Sequence, residues 1–257
     1  MKIYQGIKRK RKYLFIGCLV LLVISYSIVF VTSPDKADKI TKEDGFIETL
    51  SFIFYFFAAV FTGILYFNAK NNKQYILGRN RNIFLLLLAL FFFFCAGEEI
   101  SWGQRILGIG TPERLEEVNA QKELNLHNFW FFQSYDKNYN DKNGFQKMFT
   151  SARIYAYIWF LYCFLIPILN KYSLKLHDIF RKFYFPVIPI WLGILFLTNY
   201  IFSKIVAILL ADNLLLLHEP ITEIKETNFA LLYFIASLSL FYSYKMSHPE
   251  IWKNSRS

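Results

Sequence analysis

Six apolar runs limit what this chain can fold into. They cover residues 14–32, 46–67, 83–102, 152–170, 184–203 and 226–244. A helix needs about 20 residues to cross a hydrocarbon core of about 30 Å, and each run approaches that length. Backbone in lipid has no water to bond, so a crossing segment must satisfy its own N–H and C=O groups, as a helix does. The expected fold is all-α: a polytopic integral membrane protein, a bundle of about six transmembrane helices forming one domain over residues 1–257. The composition agrees, since 55% hydrophobic residues and 29 Phe in 257 are too apolar for an ordinary soluble domain.

Charge orients the bundle. Lys8, Arg9, Lys10, Arg11 and Lys12 precede the first run, like the basic start of a signal peptide. The apolar stretch after them exceeds the usual ~7–15 residues and no small-x-small site follows, so the run is expected to stay as a first helix. Basic inner loops keep both termini inside. Threaded so, the inner segments carry 17 Lys and Arg with two acids, Asp178 and Glu250, while 17 of the 19 Asp and Glu fall outside. Topology thus accounts for the net charge of +10, and the bilayer rather than nucleic acid is the expected partner.

The outer connections are residues 33–45, 103–151 and 204–225, the second large enough for an outer helical cap. Within it, Thr111 as N-cap, Pro112 at N1 and Glu113 in the first turn predict a helix start. Leu115, Val118 and Leu124 then predict an apolar helix stripe. The polar, turn-rich tract 134–144 predicts a mobile loop. From Phe185 to Leu217 the chain is almost continuously apolar, about 50 Å as one helix and too long for one crossing. Asn199, Lys204, Asp212 and Asn213 interrupt it. The expectation is a crossing that ends near Ser203 and a re-entrant or interfacial segment over 204–217. Cys18, Cys95 and Cys163 fall in spans with no pairing pattern and are expected to pack as small apolar groups.

Three groups carry candidate chemistry. The third run enters GEEISWGQR, residues 97–105, which puts Glu98 and Glu99 about 6–8 Å below the outer boundary. Adjacent acids repel, so one of the two is expected to be protonated, paired or metal-bound. Either Glu98 pairs with Arg105 as a structural salt bridge, or the acids face a wet cavity. Glu98, Glu99, Gln104 and Arg105 are the candidate catalytic residues. In NAQKELNLHN, residues 119–128, Glu123 and His127 are four apart and would share a helix face. In HEPITEIKETN, residues 218–228, Pro220 suits N1 of the last helix. Glu219, Glu223 and Glu226 would line one stripe of it, and Glu48 lies near the outer start of the second run. Glu98, Glu123, His127, His218, Glu219 and Glu223 together suit a divalent metal, Zn²⁺, Mn²⁺ or Mg²⁺. Bound metal would activate water; without it, two carboxyls in different environments can divide the acid and base roles. No P-loop, HExxH, GxGxxG or nucleophile elbow is present.

On EEISWGQR, on N-x-Q-x-E-x-N-x-H-N and on an EDG-x-x-E stretch from Glu43 to Glu48, the chain resembles an uncharacterised group of bacterial multi-pass membrane proteins. The resemblance covers residues 43–130 and the helical layout. It implies a bacterial cytoplasmic membrane and no particular activity. Glu98-Glu99 is also similar to the EExxxR string of intramembrane CAAX-type proteases. Here Gly103 stands where that Arg would be, Arg105 comes two residues late, and Glu123 replaces the Phe of the FxxxH element before His127.

Three functions follow as expectations. The first is a metal-assisted hydrolase or transferase acting on a lipid-linked or envelope substrate at the outer face. The second is a transporter or channel component with the acids as a cation or proton site, which the apolar inner halves of the spans disfavour. The third is a non-catalytic membrane partner whose acids dock a basic protein.

Overall fold

The computed structural model describes residues 2–41, 45–68 and 81–247, with side chains from residue 11 onward except those of Arg105 and Ser247. Lys70, Lys73 and Arg79 of the first inner loop, Glu43 and Asp44 of the EDG stretch, and Glu250 lie outside the described residues. The helices are α1 (Lys2–Val31), α2 (Pro34–Thr41), α3 (Phe46–Asn68), α4 (Ile83–Glu99), the short α5 (Gln104–Leu107), α6 (Glu113–Glu116) and α7 (Gly144–Lys147), then α8 (Ser151–Trp159), α9 (Ile166–Tyr172), α10 (Leu174–Lys182), α11 (Ile190–Leu209) and α12 (Leu214–Ser247).

Among the described residues, five stretches are long and apolar enough to cross a membrane: those in α1, α3, α8–α9, α11 and α12. The third expected run is shorter than predicted. Its helix, α4, has 17 residues and ends at Glu99, about 25 Å at 1.5 Å per residue.

Helix α12 packs against α3, α11, α1 and α2, and α4 packs on α3. The core is aromatic. Phe229 stacks between Phe196, at 5.7 Å, and Trp159, at 5.2 Å, and Tyr233 meets Phe92 at 5.2 Å. Large apolar side chains such as Leu87, Leu90, Phe93 and Ile201 face outward. In lipid that arrangement costs nothing, and helices cohere instead through close packing and interhelical hydrogen bonds. Tyr26 donates to Asn199 Oδ1 at 2.9 Å, Asn228 Nδ2 to Ser25 Oγ at 2.8 Å, and Ser51 and Thr227 share a bond of 2.7 Å.

Close packing is sharpest at Gly193. A Cβ there would lie 2.3 Å from the Cys163 carbonyl oxygen. That carbonyl sits in a π-helical segment, Phe160–Leu165, joining α8 to α9. Pro167, four residues on, has no N–H to give it. A missing donor on one helix thus faces a missing side chain on the other.

Two expected boundaries are corrected. The fifth helix begins at Ile190 rather than residue 184, because Pro186 and Pro189 hold residues 185–189 out of the helix. This non-helical stretch is covered by protein: Tyr162 donates to the Pro186 carbonyl at 2.9 Å, and Asn82 Nδ2 to that of Tyr184 at 2.6 Å. The helix end expected near Ser203 lies further on. Helix α11 runs unbroken past Lys204 to Leu209, a 3-10 turn over Ala211–Asn213 reverses the chain, and α12 begins at Leu214. Pro220 therefore lies inside α12 rather than at its N1 position.

Candidate functional site

The cap is not the amphipathic helix predicted after Thr111. Pro112 is itself the N-cap, and α6 stops at Glu116 after four residues. From Asn119 to Phe129 the chain is an irregular loop closed by an isolated bridge between those two residues. Glu123 and His127 therefore share no helix face.

What shapes this loop is α4's ending. After Glu99 the backbone turns left-handed at Ser101 (φ 45°), Trp102 (φ 55°) and Gly103 (φ 79°). Non-glycine residues pay roughly 1–2 kcal/mol each for that conformation. The turn throws the Trp102 ring back over Gly97, where a Cβ would stand 2.9 Å from it, and Trp102 Nε1 donates to Glu98 Oε1 at 2.7 Å. Ser101 donates to Glu123 Oε2 at 2.7 Å.

Glu98 is the point on which the loop docks. It is 7% exposed. Its Oε2 accepts the backbone N–H groups of Leu126 (2.7 Å) and His127 (2.8 Å), and the Nδ1 of His127 lies 3.1 Å away. The salt bridge expected from Arg105 falls outside the described side chains. Gln104 bonds the loop: its Oε1 accepts Leu124 N–H at 2.8 Å and its amide donates to Thr111. Asn119 Nδ2 donates to the carbonyls of Glu123 (3.0 Å) and Asn125 (2.7 Å), Asn125 Nδ2 donates to Glu123 Oε2 at 2.7 Å, and Asn128 Nδ2 bonds Gln121 Oε1. Most polar members of N-x-Q-x-E-x-N-x-H-N are thus spent on holding the loop.

Beneath the loop lies a cavity of about 340 Å³. Phe91, Phe94, Leu126, Phe132, Ile154 and Ile158 make its apolar walls, and Glu98, Glu99, Glu226, His127, Ser151, Tyr55 and Tyr155 bring polar atoms to it. The His127 side chain is 44% exposed, so its ring is available to a ligand. Glu99 makes no hydrogen bond or ion pair with a described residue. It lies within electrostatic reach of Glu223, Glu226, Glu48 and Glu98. The Tyr55 and Tyr155 hydroxyls bond each other at 2.5 Å. Sequence reasoning missed Ser151, Tyr55 and Tyr155. A tyrosine inside an apolar run needs a partner for its hydroxyl, which was a signal, but the two partners are a hundred residues apart.

The predicted ligand set is not gathered in one place. Glu98 and His127 meet, and Glu123 sits behind them on Ser101 and Asn125. Glu223 joins the carboxyls around Glu99 from α12. Glu219 is exposed, and His218 lines a different cavity with Lys204 and Lys225. Among the described residues, no three His, Cys, Asp or Glu side chains form a group that could hold a metal ion.

No family model matches the chain, no curated protein matches it, and no solved structure matches it. The string resemblances of residues 43–130 therefore assign it to no family. What stands is an all-α protein with, among the described residues, five long apolar helices, and so a chain in contact with a lipid bilayer.

Proposed function

We propose that this protein is a membrane-embedded enzyme that performs hydrolysis or group transfer on a lipid-linked substrate at the outer leaflet, with His127 as general base. One arrangement carries the reading: a buried carboxylate, Glu98, lies 3.1 Å from Nδ1 of an imidazole whose ring borders an apolar cavity. A carboxylate at Nδ1 fixes the ring's orientation and tautomer and stabilises the imidazolium formed when Nε2 takes a proton. The nucleophile is water or the Ser151 hydroxyl, both within the cavity's reach. Its proton passes to His127 Nε2, its oxygen bonds the substrate's acyl or phosphoryl centre, and the leaving oxygen departs with a proton that Glu99 is placed to give. The walls of Phe91, Phe94, Ile154 and Ile158 suit an acyl or prenyl chain.

The test is turnover in liposomes of total bacterial polar lipid, with released headgroups and chains followed by mass spectrometry. Wild type is expected to release product, and His127→Gln to slow it about 10²–10⁴-fold, the usual worth of a positioned general base. Absence of product from folded wild type, or equal rates in His127→Gln, refutes the proposal.

A further inference from the structure

A second cavity, of about 80 Å³, occupies the notch between α11 and α12 and shares no lining residue with the His127 pocket. Tyr200, Ser203 and Lys204 border it from α11, and His218, Thr222 and Lys225 from α12. The Ser203 and Thr222 hydroxyls are spent on their own helices, donating to the Tyr200 carbonyl at 2.7 Å and the His218 carbonyl at 2.9 Å. The donors left for a ligand are two ammonium groups, an imidazole and the Tyr200 hydroxyl.

This is a cationic notch on a strongly acidic side of the chain. Lys204 and Lys225 are the only Lys or Arg between residues 204 and 225, and both line it. Lys225 Nζ is 3.3 Å from Glu226 Oε1, so part of its charge is already answered; its side chain is 21% exposed. Lys204 Nζ lies over the Tyr200 ring, 5.6 Å from its centroid, a cation–π contact that leaves its N–H donors for a ligand. Lys204 is the only charged residue of α11. Ile201, one turn below it on the same face, is exposed and offers a track for an acyl chain.

We propose that this notch binds a phosphate group, held by Lys204, Lys225 and His218. Basic pockets between membrane helices take anionic headgroups in this way, with each ammonium acting as a point charge. The phosphate belongs to an anionic lipid headgroup or to free phosphate, and both present the same oxygens to the notch. The inference is independent of the catalytic reading.

Native mass spectrometry of the full chain in detergent, titrated separately with phosphatidylglycerol and inorganic phosphate, tests it. Saturable binding of either supports the proposal: phosphatidylglycerol alone identifies the lipid as source, and inorganic phosphate alone the free ion. Affinity should fall at least tenfold in the Lys204→Gln/His218→Gln double variant, whose exposed sites leave folding intact. Lys225→Gln gives a second reading of the same loss. Binding of neither probe to wild type, or affinity unchanged in both variants, overturns the proposal.

Discussion

Replacing Glu98 by Gln should undock the cap loop while leaving the bundle folded. The carboxylate presents two acceptor oxygens and no donor. All four groups around it give hydrogens: Leu126 N–H, His127 N–H and, on an Nδ1–H tautomer, His127 Nδ1 to Oε2, and Trp102 Nε1 to Oε1. A glutamine has one oxygen and one NH₂. If its oxygen faces the loop amides, its NH₂ opposes the Trp102 N–H; reversed, it opposes three donors at once. Either way the variant loses the charge assistance of these bonds, worth about 1.5–3 kcal/mol for a bond to a charged group, and leaves a buried donor unpaired at about 1–3 kcal/mol. A central figure of about 3 kcal/mol corresponds to about a hundredfold in the equilibrium for local opening. Hydrogen exchange read by mass spectrometry on peptides covering residues 119–133 should accelerate by about that factor, with peptides from α11 and α12 unchanged. Glu99→Gln is the control. It replaces a carboxyl that has four others within electrostatic reach and breaks no bond to a described residue, so protection of the loop should hold. Equal exchange in wild type and Glu98→Gln would show that Glu98 does not hold the loop, and the orientation of His127 would need another cause.

Two further outcomes follow from local geometry. Gly193→Ala forces a methyl into the Cys163 carbonyl oxygen and should destabilise the bundle by about 1–3 kcal/mol; a thermal melt in detergent reads this, and an unchanged Tm would mean that the helices separate freely there. The Asp136 carboxyl is held below its ordinary range, first by the Asn140 backbone N–H, then by those of Asn138 and the Asn140 side chain, with Lys142 adding to it. A lowered folded value stabilises above the unfolded value and is lost as pH falls through the folded one, so amide protection at Asn138 and Asn140 should persist at neutral pH and vanish in acid, whereas Asp136→Asn should lack this pH step.

The existence of the spans was legible because lipid demands a length and a composition that few other environments do. Their ends were not. Hydropathy reports where a helix meets hydrocarbon, not where its hydrogen bonds stop. Pro220 reads as the N1 position of the last helix, yet α12 begins at Leu214 and runs through it, since a helix leaving the membrane pays no penalty for polar side chains. In the cap the misreading was one of period. Asn119, Gln121, Glu123, Asn125 and His127 recur every second residue, a period foreign to a helix, and the Glu-to-His spacing of four drew attention away from it. The docking of that loop rests on left-handed Ser101 and Trp102, and no local propensity places a tryptophan there. Glu98 and His127 were readable as candidates, but their meeting was not, because it depends on that backbone reversal. The opposite outcome befell the metal set: residue types alone grouped His218 with Glu219 and Glu223, while one helical step of about 100° sends His218 toward α11.

The cap loop is built inside out, and this bears on the chemistry beneath it. Asn119, Asn125 and Asn128 are buried, while Val118, Ile106, Leu107 and Phe131 beside the loop are exposed. A domain in bulk water would lose the apolar contribution of each such side chain, about 1.5–3 kcal/mol when fully buried. At a membrane interface the exposed groups enter lipid, and the buried amides satisfy one another, as Asn119 and Asn125 do. Under the proposed function the cap lies on the bilayer rather than standing in water. That position keeps water scarce around the cavity, and scarce water strengthens every charge interaction inside it. The pairing of Glu98 with His127 thus sits where a polar loop interior meets an apolar chamber, the setting in which a carboxylate can hold an imidazole most firmly and a lipid chain can reach it without leaving the membrane.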